Sequence, residues 1–176
     1  MKTNTKMLLD IMQVVCWILF IGLCIQAGTL LVSLLFTYFG NTRIAEQFAK
    51  DLYLPKLYHY SPFYYIALCS LLLAIALLKA HIFYLVIQFF SRVNMDHPFS
   101  HPVSNLISKV VQTAFGIGII AVIGNVYNQA LMKKNIPATS LSWQSSEFLF
   151  LAGILFVISL IFKRGVALQS ENDLTI

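Results

Sequence analysis

The side chains best placed to do chemistry lie in one stretch, NMDHPFSHPVSN, where Asp96, His97 and His101 stand close together. A carboxylate and two imidazoles suit zinc or manganese. Two histidines four residues apart bind a metal best from one face of a helix, but Pro98 and Pro102 interrupt any such helix and no fourth ligand is adjacent. The spacing fits a turn better, with Ser100 as the N-cap of a following helix, Pro102 tolerated in its first turn and Phe99 as an apolar staple before the cap. No metal and no other cofactor is therefore expected. The 7 carboxylates, Asp10, Glu46, Asp51, Asp96, Glu147, Glu171 and Asp173, all fall outside or at the rims of the apolar stretches, so no acid dyad forms at depth. No nucleophile elbow, zinc-protease helix or glycine-rich nucleotide loop is present. The 3 cysteines, Cys16, Cys24 and Cys69, sit in apolar runs without a paired or metal-like spacing and read as small buried hydrophobes. An enzyme is not expected.

The elements that carry these residues follow from composition. The chain of 176 residues has 12 basic and 7 acidic side chains, 59% hydrophobic positions and a mean hydropathy of +0.78. A soluble domain has about a quarter of its residues charged. This chain cannot cover itself with polar surface, which excludes a soluble globule and a disordered chain. Its diffuse net charge of +5 also lacks the clustered Lys and Arg of a direct nucleic-acid binder. A lipid bilayer is the solvent such a chain needs.

Crossing the hydrocarbon takes about 20 helical residues. Four segments reach or approach that length, about 11–39, 61–90, 106–132 and 146–162, followed by a tail at 163–176. They predict one all-α membrane domain over 1–176, four transmembrane helices in an up-down bundle. The run from Ile11 to Phe39 far exceeds the roughly 7 to 15 residues of a signal-peptide core, so it reads as a retained anchor. Ser61-Pro62 opens the second span, and Ser145 with Glu147 suits the start of the fourth. Four crossings place both ends of the chain on one side. Lys2, Lys6, Arg92, Lys109, Lys163 and Arg164 would share that side, against Arg43, Lys50, Lys56, Lys133 and Lys134 on the other, a slight positive-inside preference for cytoplasmic termini.

Polar residues within the apolar runs are few. Lys79 and His81 lie in the second span; if that span ends near His81, Lys79 can snorkel to the membrane edge. Gln26, Lys79, His81, Gln112 and Asn125 could instead build a polar path, the mark of a small transporter or permeability factor. Ala114, Gly116, Gly118, Ala121 and Gly124 give the third span a smooth surface for close helix packing, within the chain or in a homodimer. In the first connection, Ile44, Phe48 and Leu52 recur every four residues, as in a short amphipathic helix on the membrane surface. After Lys163-Arg164, Gly165 allows a change of direction, and the polar Glu171-Asn172-Asp173 precedes Leu174 and Ile176.

Pro98-Phe99-Ser100, together with Phe162-Lys163-Arg164-Gly165 and the ending Glu171-Asn172-Asp173-Leu174-Thr175-Ile176, resembles a known bacterial pattern. On these motifs the sequence is similar to the YoaS-like integral-membrane proteins, the domain-of-unknown-function family 2975. His101, Pro102 and Val103 stand where that family usually has an acidic or amide pair. The resemblance implies a four-span protein of the bacterial inner membrane with cytoplasmic termini, often encoded beside a small helix-turn-helix regulator, and it supplies no catalytic residues. It also places Pro98, Phe99 and Ser100 on the same face as Glu171, Asn172, Asp173 and Leu174. That face could bind or sequester the DNA-binding regulator without itself touching nucleic acid.

Overall fold

The computed structural model of the protein describes residues 2–39, 47, 54–93, 99–136 and 142–173. Among these the regular structure is all α-helix: α1 (Lys2–Tyr38), the short α2 (Pro55–Tyr60), α3 (Pro62–Arg92), α4 (His101–Lys133) and α5 (Ser145–Asp173). Four of them, all but α2, are long and apolar enough to cross a membrane. Lipid offers the backbone no hydrogen-bond partners, so each crossing segment must satisfy its own N–H and C=O groups by coiling.

Local chemistry sets the helix ends. Ser61 is the extended N-cap of α3 and Pro62 occupies the first turn, where its missing N–H costs nothing. Ser100 likewise precedes α4 in an extended conformation, but its side chain makes no capping bond; its carbonyl accepts the Ser104 N–H at 2.9 Å. The C-terminus of α4 is a Schellman stop. Asn135 adopts a left-handed φ of 56°, its N–H reaches the Met132 carbonyl at 3.0 Å, and the Ile136 N–H reaches the Leu131 carbonyl at 3.1 Å. Leu131 and Ile136 both join the main buried cluster, the apolar contact that accompanies this motif.

One boundary differs from the sequence reading. The fourth helix does not stop near Phe162: α5 continues through Gly165 to Asp173, so most of the tail is helix and Gly165 turns nothing. The second helix runs unbroken to Arg92, close to the expected 61–90, with Lys79 near its midpoint. Residues 44–46 and 48–52 of the first connection, and with them the amphipathic pattern expected there, lie outside the described residues.

The long helices are antiparallel to their neighbours. Near one end of α1, Gln13 Nε2 donates to Ser91 Oγ of α3 at 3.2 Å; near the other, Ser33 Oγ and Tyr65 Oη are 2.6 Å apart. On α4 and α5, Ser108 Oγ lies 3.2 Å from Ser159 Oγ at one end, while the Trp143 ring covers Gly124 at the other. The up-down order follows, with the first and last helix ends on the same face. The packing is serial, α1 on α3, α3 on α4, α4 on α5. Among the described residues no Cα of α1 comes within 8 Å of one in α4 or α5, nor does any of α3 approach α5 so closely. The four form a row, and α1 turns Ile11, Val14, Ile18, Ile21 and Ile25 outward toward lipid.

The two ends of the row differ in chemistry. One gathers Tyr38, Tyr58, Tyr60, Tyr64, Tyr65, Tyr127 and Trp143, amphipathic rings that favour a membrane interface. There α2 folds onto α3, with Leu54 and Leu57 buried and the Tyr58 ring edge-on to Tyr65 at 5.3 Å. The opposite end carries Arg92, Lys109, Lys163 and Arg164, and the tyrosine-rich end carries Lys56, Lys133 and Lys134.

Candidate functional site

The end opposite the tyrosines is where the sequence motifs meet. Phe99, just before α4, lays its ring 5.0 Å from that of Phe162 and directly against Gly165 of α5. A side chain at position 165 would occupy the space of the Phe99 ring, so glycine here admits the loop rather than bending the helix. Phe99, at the entry to α4, is thereby seated on the part of α5 that extends past its most apolar stretch. Val166, next to this contact, is buried, while Lys163, Arg164 and Leu168 are exposed.

The predicted partner-binding residues are only partly brought together. Phe99 contacts α5, and Ser100 stands half-buried beside it. Glu171 is exposed near the end of α5, and the backbone of Asn172 and Asp173 completes that helix. Six residues separate Gly165 from Glu171, about 9 Å along a helix, so the acidic stop lies beyond the aromatic contact. Pro98 and Leu174 lie outside the described residues, as do Asp96 and His97 of the considered metal set.

The intramembrane polar residues are dispersed. Gln26 is exposed on α1, its carbonyl accepting the Thr29 hydroxyl at 2.8 Å. His81 is exposed on α3 beside Tyr84, with ring centroids 6.4 Å apart. Gln112 borders an apolar groove of about 380 Å³ formed with Phe115, Leu149, Ala152 and Phe156. Asn125 accepts from Gln129 on its own helix at 3.3 Å. Lys79 alone reaches across the row, its Nζ 5.0 Å from the centre of the Phe148 ring of α5. No hydrogen bond joins any two of these five.

Sequence reasoning missed two features. One is the fully buried Ser33 and Tyr65 pair, invisible until the register of α1 on α3 is known. The other is a polar groove of about 370 Å³ between the last turns of α3 and the first turns of α4, lined by Gln88, Arg92, His101, Pro102, Asn105, Leu106 and Lys109. Its signal was present as polar residues at intervals of four, Gln88 and Arg92 on one helix, His101, Asn105 and Lys109 on the next.

Comparison with curated proteins and with solved structures gives no match. A family model does match, over residues 44–176, which includes α2 to α5 and leaves α1 before the matched region. The chain is thus a four-helix, multi-pass membrane protein belonging to the family described as Protein of unknown function (DUF2975).

Proposed function

We propose that this protein is a non-catalytic membrane platform of the bacterial inner membrane. Its face opposite the tyrosines lies in the cytoplasm and receives a small helix-turn-helix regulator. The observation that carries the reading is the seating of Phe99 on Phe162 and Gly165, which makes the α3–α4 connection and the extended end of α5 one surface. A surface built from two separate segments and fixed by an aromatic contact is preorganised, so docking on it orders few additional side chains. The basic residues of this end also favour the cytoplasmic side. The regulator is taken from the resemblance to a family whose members are often encoded beside one.

Co-purification in mild detergent tests the proposal, with the neighbouring regulator as bait and the membrane protein with or without residues 165–176 as prey. Recovery should fall sharply without the helical extension. Equal recovery of both forms would refute docking on this face.

A second reading, a small transporter or permeability factor, is favoured by one observation, the position of Lys79 near the midpoint of α3. Ionisable side chains at membrane depth are costly and commonly serve transport. Flux measured in vesicles with wild-type protein and Lys79→Leu separates the two, since a platform is indifferent to that substitution. The outward faces of α1 and α5 leave room for a homodimer under either reading.

A further inference from the structure

We propose that the groove between the end of α3 and the start of α4 binds a phosphoryl group at the membrane surface, supplied by the headgroup of an anionic phospholipid. Three observations converge. The lining places Gln88 and Arg92 on the α3 wall and His101, Asn105 and Lys109 on the α4 wall, and no carboxylate belongs to it among the described residues. Among the described residues neither Arg92 nor Lys109 has an ion-pair partner, and both side chains are exposed. The groove is also at the correct height, formed by the terminal turns of two crossing helices, where headgroups lie.

The donor set matches the ligand. A guanidinium offers a planar fork to two phosphate oxygens, and an ammonium adds a rotatable point charge. The amides of Gln88 and Asn105 and a ring N–H of His101 can donate to the remaining oxygens. His101, Asn105 and Lys109 follow one another at intervals of four on α4, so they form a single stripe facing the Gln88 and Arg92 stripe of antiparallel α3. Lys109 lies deepest, and its long aliphatic stem lets the ammonium rise toward the surface. Leu106, buried beneath the polar rim, gives the groove an apolar floor continuous with the helix packing. Such a floor suits the glycerol and upper acyl region of a lipid better than a fully hydrated ion.

Native mass spectrometry of the full chain in mild detergent, titrated with phosphatidylglycerol or with phosphatidylcholine, reads the binding directly. The wild-type chain should retain one phosphatidylglycerol preferentially. Each surface cation contributes about fivefold to such binding, so Arg92→Gln with Lys109→Gln should weaken it about thirtyfold. Lys163→Gln with Arg164→Gln removes the same charge outside the groove and should change it little. Arg92→Lys with Lys109→Arg keeps the charge and should retain most of the binding, which separates loss of the site from loss of fold. Millimolar inorganic phosphate should compete weakly; if it displaces lipid stoichiometrically, the phosphoryl group alone is the ligand and the site stands with a soluble source. Equal weakening by the two glutamine pairs, or no preference for phosphatidylglycerol over phosphatidylcholine together with no effect of phosphate, would overturn the proposal.

Discussion

Gly165 lies directly beneath Phe99: a methyl group added at Gly165 would stand 2.6 Å from Cδ1 and 2.7 Å from Cε1 of the ring. Phe162, one helical turn before Gly165, flanks the ring at 5.0 Å between centroids, and the outer face of the ring is exposed. Gly165→Leu should therefore expel the loop from α5. Overpacking of this kind costs about 1–3 kcal/mol. The measurable consequence is faster proteolysis within residues 94–99 of the detergent-solubilised protein, with α5 itself intact. Unchanged cleavage would mean that Phe99 does not hold the loop.

Glycines on α4 and α1 should behave in opposite ways. At Gly124 an added methyl collides with the Trp143 indole, a rigid ring that is itself buried; at Gly118 it meets Leu149, at 2.6 Å from Cδ2, 2.8 Å from Cγ and 3.4 Å from the backbone N, an aliphatic side chain that can shift in part. Gly22, on α1, has nothing within 4 Å of the added atom. Thermal unfolding in detergent should rank Gly124→Ala as the most damaging, at about 1–3 kcal/mol, with Gly118→Ala milder. Gly22→Ala should be neutral or stabilising by about 0.5–1 kcal/mol, since alanine restricts the unfolded chain and suits a helix. Equal losses at Gly22 and Gly124 would contradict the packing described for α4 and α5.

The fold was legible in the sequence to the extent that it is governed by solvent. Uncharged runs and the Ser61-Pro62 and Ser145/Glu147 starts gave four helices because lipid leaves a backbone no alternative. Boundaries were less legible. Lys163 and Arg164 look like a stop, yet α5 continues, because Val166 is buried and Gly165 receives Phe99. Neither contact leaves a local signature. Span length alone does not fix the depth of Lys79, since the 31-residue helix Pro62–Arg92 is longer than the roughly 20 residues of a minimal crossing. Of the candidate site, the Phe99 motif was visible in order but its partner was not. The phosphoryl groove needed the α3–α4 pairing before its two polar stripes could be seen as facing walls.

Ser33 and Tyr65 offer a clean measure of polar pairing inside the row. Both are fully buried and their hydroxyl oxygens are 2.6 Å apart. Tyr65→Phe strands the Ser33 hydroxyl, and a stranded buried group costs about 1–3 kcal/mol, whereas Ser33→Ala leaves Tyr65 its interaction with the buried Cys69 thiol and should cost less. Removing both hydroxyls leaves an apolar contact of nearly the same shape. The double variant should therefore be more stable than the two single losses sum to, with a coupling of about 0.6–1.7 kcal/mol as found for helix pairs in membranes. Strict additivity in reversible unfolding would show that the pair does not interact.

Lys79 and Phe148 span the row from α3 to α5 although, among the described residues, no Cα atoms of those helices come within 8 Å. A helical side chain leans toward its own N-terminus, which directs Lys79 toward the tyrosine-rich end where α5 begins. An ammonium over a desolvated ring is worth about 0.5–2 kcal/mol. Phe148→Leu should accordingly lower stability in the wild-type chain, and much less so in a Lys79→Leu background, where only aliphatic packing is exchanged. Lys79→Leu alone should ease insertion of α3, because a lysine at the centre of a span disfavours insertion by about 2.5–3.5 kcal/mol. If Phe148→Leu proves equally costly in both backgrounds, the ring is a packing residue and the cation is held by something else.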